Sequence, residues 1–96
     1  MTRKLERVDY SRVFTKQLKK APLKIKEAFR KRREIFFENP FNPRLNNHQL
    51  TGEYKWHRSI NITGDWRAIF TERMNGEGNK IVLFKFIGTH NQLYLR

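Results

Sequence analysis

The chain has 96 residues, which is enough for one small domain and too few for two. It contains no cysteine, which excludes disulfide bonds, thiolate metal ligands and a thiol nucleophile. Lysine and arginine number 21 against nine acidic residues, giving a formal net charge of +12. Such an excess predicts a polyanionic partner, most commonly nucleic acid, with an acidic protein or an anionic membrane as alternatives.

The sequence carries no pattern typical of export or membrane insertion. Residues 1–6 are charged with no apolar run behind them, unlike a secretory signal. No stretch reaches the length of a membrane span. We therefore expect a cytoplasmic domain without a membrane partner.

The first half of the chain is predicted to form a strand and two helices. Residues 5–9 fit a short strand, and Ser11 is suited to cap a helix because its hydroxyl can accept from free amides. That helix must end before Pro22, since the residue before a proline disfavours helical dihedrals. Pro22 can itself open a second helix over residues 22–38. The two helices would form a hairpin that covers one face of a sheet.

The second half is predicted to contain a long loop and three strands. Residues 39–52 are rich in Asn and Pro and form a loop whose length suggests a functional role. Residues 53–61 alternate in polarity and fit a strand. Residues 66–73 and 80–87 fit two more, of which the last is almost wholly apolar and therefore the most buried. Turns separate these strands at residues 63–65 and 75–79.

The predicted order is β-α-α-β-β-β, which makes an α+β domain. A helical hairpin would pack on one face of a small, mainly antiparallel four-stranded sheet, leaving the other face free. Alternation along residues 53–61 sorts the side chains between the two faces. Those predicted to lie on the free face are Lys55, His57, Ser59 and Asn61. Those predicted to point the other way are Tyr54, Trp56, Arg58 and Ile60.

Three short motifs resemble those of one toxin family. Residues 48–52 (HQLTG) resemble its His-x-Leu-x-Gly segment before the second strand. Residues 58–70 (RSINITGDWRAIF) resemble its paired central strands with an Asp-Trp or Asp-Arg turn. Residues 88–94 (GTHNQLY) resemble the Gly-Thr-His-x-x-Leu-(Phe/Tyr) ending of the YafQ branch. The chain thus resembles the RelE/YafQ-type toxins of the RelE/ParE superfamily along nearly its whole length.

The resemblance implies a RelE-like toxin domain over residues 1–96, belonging to a type II toxin–antitoxin system. Such toxins are endoribonucleases that enter the A site of the 30S ribosomal subunit and cut the mRNA there. They need no metal or other cofactor. A cognate antitoxin with an acidic or partly disordered segment wraps the basic surface and neutralises them.

RNA carries its own nucleophile, which defines what a cleaving protein must supply. The 2′-hydroxyl attacks the adjacent phosphorus and expels the 5′-oxygen, leaving a 2′,3′-cyclic phosphate. The protein must supply a base, an acid and positive charge for the phosphorane, and histidine suits proton transfer near neutral pH. The resemblance places catalytic groups at His90, as general acid, and at His48, as general base or substrate-orienting residue. It adds Asp65, which would activate a histidine or accept the 2′-hydroxyl proton, although an ordinary turn aspartate is an equal interpretation.

A further set of residues is predicted to hold the RNA. Contacts to the substrate or its phosphates are predicted for Lys55, Arg58, Asn61, Trp66, Arg67, Lys85 and Tyr94. Contacts to ribosomal RNA phosphates are predicted for Lys24, Arg30, Lys31 and Arg33 on the second helix. Trp66 fits either base stacking or the core, and His57 is at most an additional substrate contact. Lys85 interrupts an apolar strand, so its side chain must emerge on the free face or reach the surface.

The chain departs from the YafQ pattern at two positions. Asn61 stands where that branch has a histidine, and Phe86 stands where it has an arginine. Asn61 can position a group but cannot transfer a proton at neutral pH. Phe86 carries no charge, so Lys85 or Arg67 would have to supply the positive charge.

Other functions stay open from the residues alone. A ParE-like gyrase-poisoning toxin would not need His48 and His90. A non-catalytic RNA-binding or ribosome-binding protein would be indifferent to the loss of His90. A zinc site built from the three histidines lacks the closely spaced pair of ligands typical of metal sites, so no metal is predicted.

Overall fold

The computed structural model of the protein describes residues 5–94, so the predicted domain of residues 1–96 extends beyond the described range at both ends. The strands are β1 (Leu5–Tyr10), β2 (His48–Gln49), β3 (Arg58–Asn61), β4 (Trp66–Met74) and β5 (Lys80–Thr89). The helices are α1 (Arg12–Lys20), α2 (Leu23–Glu38) and α3 (His90–Tyr94), with single 3₁₀ turns at Pro43–Leu45 and Gly52–Tyr54. Within residues 5–94, no helix is long and apolar enough to cross a membrane.

The strands form one mixed sheet in the order β1-β5-β4-β3-β2. β1 runs parallel to β5, and every other pair of neighbours is antiparallel. The α+β class, the order of the main elements and the mainly antiparallel sheet are therefore confirmed. Side chains of β5 pack into a core on each face of the sheet, which explains why its sequence is almost wholly apolar.

The sheet has five strands rather than the predicted four. The additional strand, β2, lies in the segment predicted to be a loop, where His48 pairs with Ser59 and Gln49 pairs with Arg58. Two residues are too few to leave a periodic pattern in the sequence, so the prediction could not detect this strand.

The helical hairpin begins and ends where its capping residues predict. The Oγ of Ser11 accepts a hydrogen bond from the amide of Phe14 at 2.9 Å, which confirms the predicted N-cap. α1 ends at Lys20, and Pro22 lies immediately before the first residue of α2. Both helices pack on the same face of the sheet.

A cluster of phenylalanine rings forms the main core between the helices and the sheet. Phe84, in the middle of β5, is fully buried. Its ring centroid lies 5.5 Å from that of Phe14, 5.6 Å from that of Phe36 and 5.4 Å from that of Phe70. Phe84 thus joins both helices to β4.

Beyond Phe84, β1 has ended and α1 takes over as the partner of β5. The amide of Ile87 donates to Oε1 of Gln17 at 2.9 Å, and Oγ of Ser11 donates to the carbonyl of Lys85 at 2.8 Å. These side chains satisfy backbone groups that would otherwise be left unpaired near the core. The C-terminal half of β5 is therefore fixed by α1.

Lys85 is the extra residue of a β-bulge. Phe84 pairs with Phe70 and Phe86 pairs with Ile69, so Lys85 has no partner on β4. The bulge shifts the alternation of β5: Phe84 contributes to the main core, whereas Phe86 packs on the opposite face. This shift explains how a lysine can interrupt the apolar strand.

The strand predicted over residues 53–61 is wrong in its first half. Only Arg58–Asn61 are extended in the sheet, while Gly52–Tyr54 form a 3₁₀ turn. Gly52 and Trp56 have positive φ angles, of 66° and 76°. The polarity of residues 53–57 resembles the alternation of a strand. It arises from a turn in which the side chain of Tyr54 is buried and that of Trp56 is exposed.

The sheet face opposite the helical hairpin was predicted to be free, and this prediction is wrong. α3 folds back over it, and Leu93 packs with Leu50, Tyr54 and Ile69 in a second, smaller core. Tyr54 therefore lies on the face from which it was predicted to point away. The open part of this face is confined to its margins.

Candidate functional site

Asp65 and His90 meet at one end of the sheet. Asp65 precedes β4 and His90 follows β5, and these strands are paired so that Trp66 lies opposite Thr89. The amide of His90 donates to the carbonyl of Asp65 at 3.0 Å. Both side chains are exposed, so this backbone hydrogen bond brings an imidazole and a carboxylate to the surface at the same end of the sheet.

The turn that carries Asp65 is fixed by its own hydrogen bonds. Oγ1 of Thr63 accepts from the amide of Trp66 at 3.2 Å. Nη1 of Arg67 donates to the carbonyls of Thr63 and Gly64, both at 3.0 Å. Among the described residues, these contacts use only Nη1 of the guanidinium, which has five N–H donors in all. Arg67 can therefore brace the turn and still offer Nε and Nη2 to an anion.

Thr89 and Gln92 form a capping box that starts α3. The amide of Thr89 donates to Oε1 of Gln92 at 2.8 Å, and the amide of Gln92 donates to Oγ1 of Thr89 at 3.1 Å. A Cβ at Gly88 would lie 3.0 Å from Oε1 of Gln92, so glycine makes room for this box. The Thr-x-x-Gln spacing is a sequence signal for a helix, and the sequence analysis missed it.

Aromatic contacts hold the imidazole of His90 against the body of the protein. Its ring centroid lies 4.7 Å from that of Tyr94, which in turn lies 5.6 Å from that of Tyr54. The hydroxyl of Tyr54 donates to the carbonyl of Leu93 at 2.8 Å. Tyr94 is half-buried in this stack and therefore supports His90 as well as facing outward.

Asn61 lies on the sheet face opposite the helical hairpin, close to the turn that carries Asp65. It pairs with Arg67 across β3 and β4, and Ser59 pairs with Ile69 one row away. Oδ1 of Asn61 and Oγ of Ser59 are both buried, and within residues 5–94 neither has a hydrogen-bond partner. Buried polar atoms without partners are rare, and a ligand could reach these two oxygens only if the side chains around them moved.

His48 lies on the same face but away from the Asp65–His90 pair. β2 is separated from β4 by β3, which puts the two strands about 10 Å apart. The imidazole is exposed, and its Nδ1 lies 2.8 Å from the carbonyl of Asn46, so Nδ1 is the donor of this hydrogen bond. A bound nucleotide would have to bridge the distance between His48 and His90.

Three predicted substrate contacts are not gathered at this site. Arg58 is turned toward the helical side, where its Nε donates to Oδ1 of Asn47 at 2.8 Å. Trp66 is half-buried against the main core. Lys55 lies outside the sheet, which corrects its predicted place on the free face, and its Nζ is 5.1 Å from the centroid of the Trp56 ring. Strand alternation separates Arg58 and Trp66 from Asn61 and Arg67.

The remaining basic candidates lie elsewhere. Lys85 is half-buried at the β-bulge. The predicted ribosomal RNA contacts are all on α2, which packs on the opposite face of the sheet: Lys24, Arg30, Lys31 and Arg33.

An apolar groove with a basic rim runs between α1, α2 and the end of β1. It has a volume of about 350 Å³. Its apolar wall includes Phe14, Leu18 and Phe29, and its rim carries Lys26, Arg30 and Arg33. Nη1 of Arg33 donates to the hydroxyl of Tyr10 at 3.1 Å across this groove. The sequence analysis did not identify it, because its two walls come from separate helices.

Among the described residues, no three His, Asp or Glu side chains lie close enough together to hold a metal ion. The three histidines are dispersed: His48 is on β2, His57 precedes β3, and His90 begins α3.

Comparison with known proteins identifies relatives of this fold. A family model described as the bacterial toxin of type II toxin–antitoxin system, YafQ, matches residues 6–95. YafQ from E. coli is similar in structure, with a TM-score of 0.72 and 22% identity over 91% of this chain and 96% of that chain. The E. coli DinJ–YafQ toxin–antitoxin complex gives a TM-score of 0.71 and 21% identity, covering 95% of this chain and 98% of that chain.

A more distant similarity extends to an archaeal protein. The RelB–RelE antitoxin–toxin complex from Methanococcus jannaschii gives a TM-score of 0.65 and 20% identity over 90% of this chain and 94% of that chain. A search of curated protein sequences finds no match. At these identities the solved structures establish the fold, and the family model establishes the family.

Replacing Tyr54 with phenylalanine tests how α3 is held. The change removes the hydroxyl that donates to the carbonyl of Leu93, a buried residue. We expect the free energy of unfolding to fall by about 1–3 kcal/mol, measured by urea denaturation, with faster hydrogen exchange in α3. In the matched variant Tyr10→Phe, the lost hydroxyl is near the surface, and the change should stay within about 0.5 kcal/mol. Equal stability of the two variants would contradict this assignment.

Proposed function

Because the chain belongs to the YafQ family of bacterial toxins of type II toxin–antitoxin systems, we propose that it is an endoribonuclease that cleaves mRNA in the A site of the 30S ribosomal subunit. The observation that carries the proposal is the hydrogen bond from the amide of His90 to the carbonyl of Asp65. It joins the backbones of two residues whose exposed side chains can transfer protons, and Arg67 is braced against the adjacent turn.

The proposed reaction is attack of the 2′-hydroxyl on the adjacent phosphorus. The carboxylate of Asp65 takes the hydroxyl proton, the new P–O bond forms, and the bond to the 5′-oxygen breaks. His90 gives its proton to that leaving oxygen. The products are a 2′,3′-cyclic phosphate and a free 5′-hydroxyl. Nε and Nη2 of Arg67 would donate hydrogen bonds to the phosphorane oxygens as their charge develops.

Asn61 and His48 are proposed to position the substrate. Asn61 is half-buried and pairs with Arg67 across β3 and β4, and its side-chain amide would hydrogen-bond to a ribose hydroxyl. His48 is on β2, which is separated from β4 by β3, so we assign it the orientation of a flanking nucleotide rather than the proton transfer. Tyr94 keeps the imidazole of His90 in place through their ring contact of 4.7 Å.

The charge of the domain supports a ribosomal setting. A formal charge of +12 favours a phosphate-rich partner. In the proposed complex, the basic residues of α2 contact ribosomal RNA while the opposite face of the sheet receives the mRNA. The two roles fall on opposite faces, so both can be filled at once.

The groove between α1 and α2 is proposed to receive the cognate antitoxin. Its apolar wall with Lys26, Arg30 and Arg33 at the rim is complementary to an acidic, amphipathic segment. Arg30 and Arg33 are also predicted ribosomal RNA contacts. An antitoxin bound there would therefore cover part of the surface that the toxin needs for the ribosome.

Replacing His90 with alanine tests the nuclease directly. We expect mRNA cleavage in a reconstituted translation system to fall by about 10²- to 10⁴-fold, because the general acid is lost. The matched control is Asn91→Ala, the next exposed residue of α3, which should retain cleavage. Cleavage sites and rates would be measured by primer extension on the ribosome-bound message.

Two outcomes would point to other functions. Growth arrest that persists in the His90→Ala variant, with intact mRNA and DNA-damage signalling, would indicate a gyrase poison. Ribosome binding without cleavage by the unaltered protein would indicate a non-catalytic RNA-binding protein.

Charge reversal at the groove tests the antitoxin surface. Arg30→Glu places a carboxylate at the rim, and we expect weaker binding of the antitoxin encoded in the neighbouring reading frame, by at least about tenfold in Kd. Lys31→Glu makes the same charge change on α2 outside the groove lining. It should weaken binding much less. Equal effects of the two variants in isothermal titration calorimetry would argue against the groove.

A further inference from the structure

Trp56 combines unusual exposure with an unusual backbone conformation. Its side chain is 75% exposed, the highest fraction among the exposed large hydrophobic residues of the described chain. Its φ angle of 76° is in the left-handed region, which is disfavoured for a bulky side chain by about 1–2 kcal/mol. Strain of this kind is kept where the surroundings enforce it, and it concentrates at binding sites.

The segment around Trp56 is a rigid frame. The amide of His57 donates to the carbonyl of Tyr54 at 2.9 Å, and the amide of Leu50 donates to the carbonyl of His57 at 2.9 Å. Tyr54 is buried in the smaller core. The indole is thus held out into solvent by an ordered turn, so little conformational freedom is lost when a ligand binds to it.

The neighbours of the indole are polar. Nζ of Lys55 lies 5.1 Å from the centroid of the Trp56 ring. A recess of about 170 Å³ opens beside it, lined by Gln49, Trp56, His57, Arg58 and Glu72. Glu72 is paired with Lys80, Nζ to Oε2 at 2.9 Å. The recess therefore offers hydrogen-bond donors and acceptors around one aromatic surface.

We propose that Trp56 is a stacking platform for an unpaired RNA base, with the adjoining recess receiving the edge of that base. The proposal rests on RNA being the substrate of this domain. Base–aromatic stacking suits an isolated exposed indole, and a nearby lysine neutralises the phosphate that comes with each base. The core of a protein–protein interface is enriched in apolar and aromatic side chains, and the lining of this recess has none besides the indole.

The platform lies on the β2–β3 side of the molecule, away from the Asp65–His90 pair at the end of β4 and β5. It would therefore hold a nucleotide outside the scissile step and contribute to the affinity for RNA. It takes no part in the proton transfers.

Replacing Trp56 with glycine removes the indole and suits the left-handed backbone, so the fold should be at least as stable. We expect the Kd for a short single-stranded RNA with 2′-O-methylated riboses to rise about 5- to 100-fold, measured by fluorescence anisotropy. Trp56→Tyr should stay within about threefold of the unaltered protein, because it keeps an aromatic surface. Phe37→Ala, which removes an exposed aromatic ring from α2, should leave the Kd unchanged.

Methylated RNA has no 2′-nucleophile, so this experiment measures binding apart from cleavage. Loss of RNA binding in Trp56→Gly supports the platform even if the unaltered protein cleaves no mRNA. Unchanged RNA binding in Trp56→Gly overturns it, and a simultaneous loss of antitoxin affinity would reassign Trp56 to a protein interface. Failure of the unaltered protein to bind the RNA would also overturn it.

Discussion

The burial of β5 between β1 and β4 is the constraint on which the rest of the structure depends. Its fully buried Phe84 joins both helices to the sheet, and Gln17 fixes its second half where β1 has ended. The C-terminal end of β5 therefore has a fixed position. It consists of Gly88 and Thr89, and His90 follows at the start of α3. The position of the candidate general acid therefore follows from the packing of the core.

The functional groups are placed at the margins of this rigid frame. The smaller core under α3 anchors Tyr94, which holds the His90 ring. Asp65 and Arg67 are fixed by the turn before β4. Asn61, next to them, keeps a buried oxygen atom without a partner in the described chain. Stability thus comes from the apolar layers, and the polar groups at their edge are left to interact with a ligand.

Local sequence signals predicted the elements that are determined locally. Ser11 caps α1 as expected, and the apolar run of β5 forms an interior strand between β1 and β4. β2 was missed because two residues carry no periodicity, and residues 53–57 were misassigned because a turn imitated strand alternation. The capping box of Thr89 and Gln92 was present in the sequence and could have identified α3.

The site was only partly predictable for a different reason. The family resemblance singled out His90 and Asp65, but the hydrogen bond between their backbones depends on the pairing of Trp66 with Thr89 across two strands. Such a register is set by the whole sheet and leaves no local pattern. The same register turns Arg58 and Trp66 away from Asn61 and Arg67, which residue type alone could not reveal. A binding role for Trp56 was not predicted from the sequence, because its left-handed backbone conformation is evident only in the structure.

The most direct test of the account is the chemistry of cleavage at a single modified nucleotide. A ribosome-bound mRNA would be prepared with 2′-deoxyribose at one mapped cleavage site and ordinary ribose elsewhere. If the Asp65–His90 pair acts on the 2′-hydroxyl, cleavage at that site should disappear, and the unmodified sites should yield 2′,3′-cyclic phosphate ends. Undiminished cleavage at the deoxyribose, or 3′-hydroxyl ends at the other sites, would contradict it.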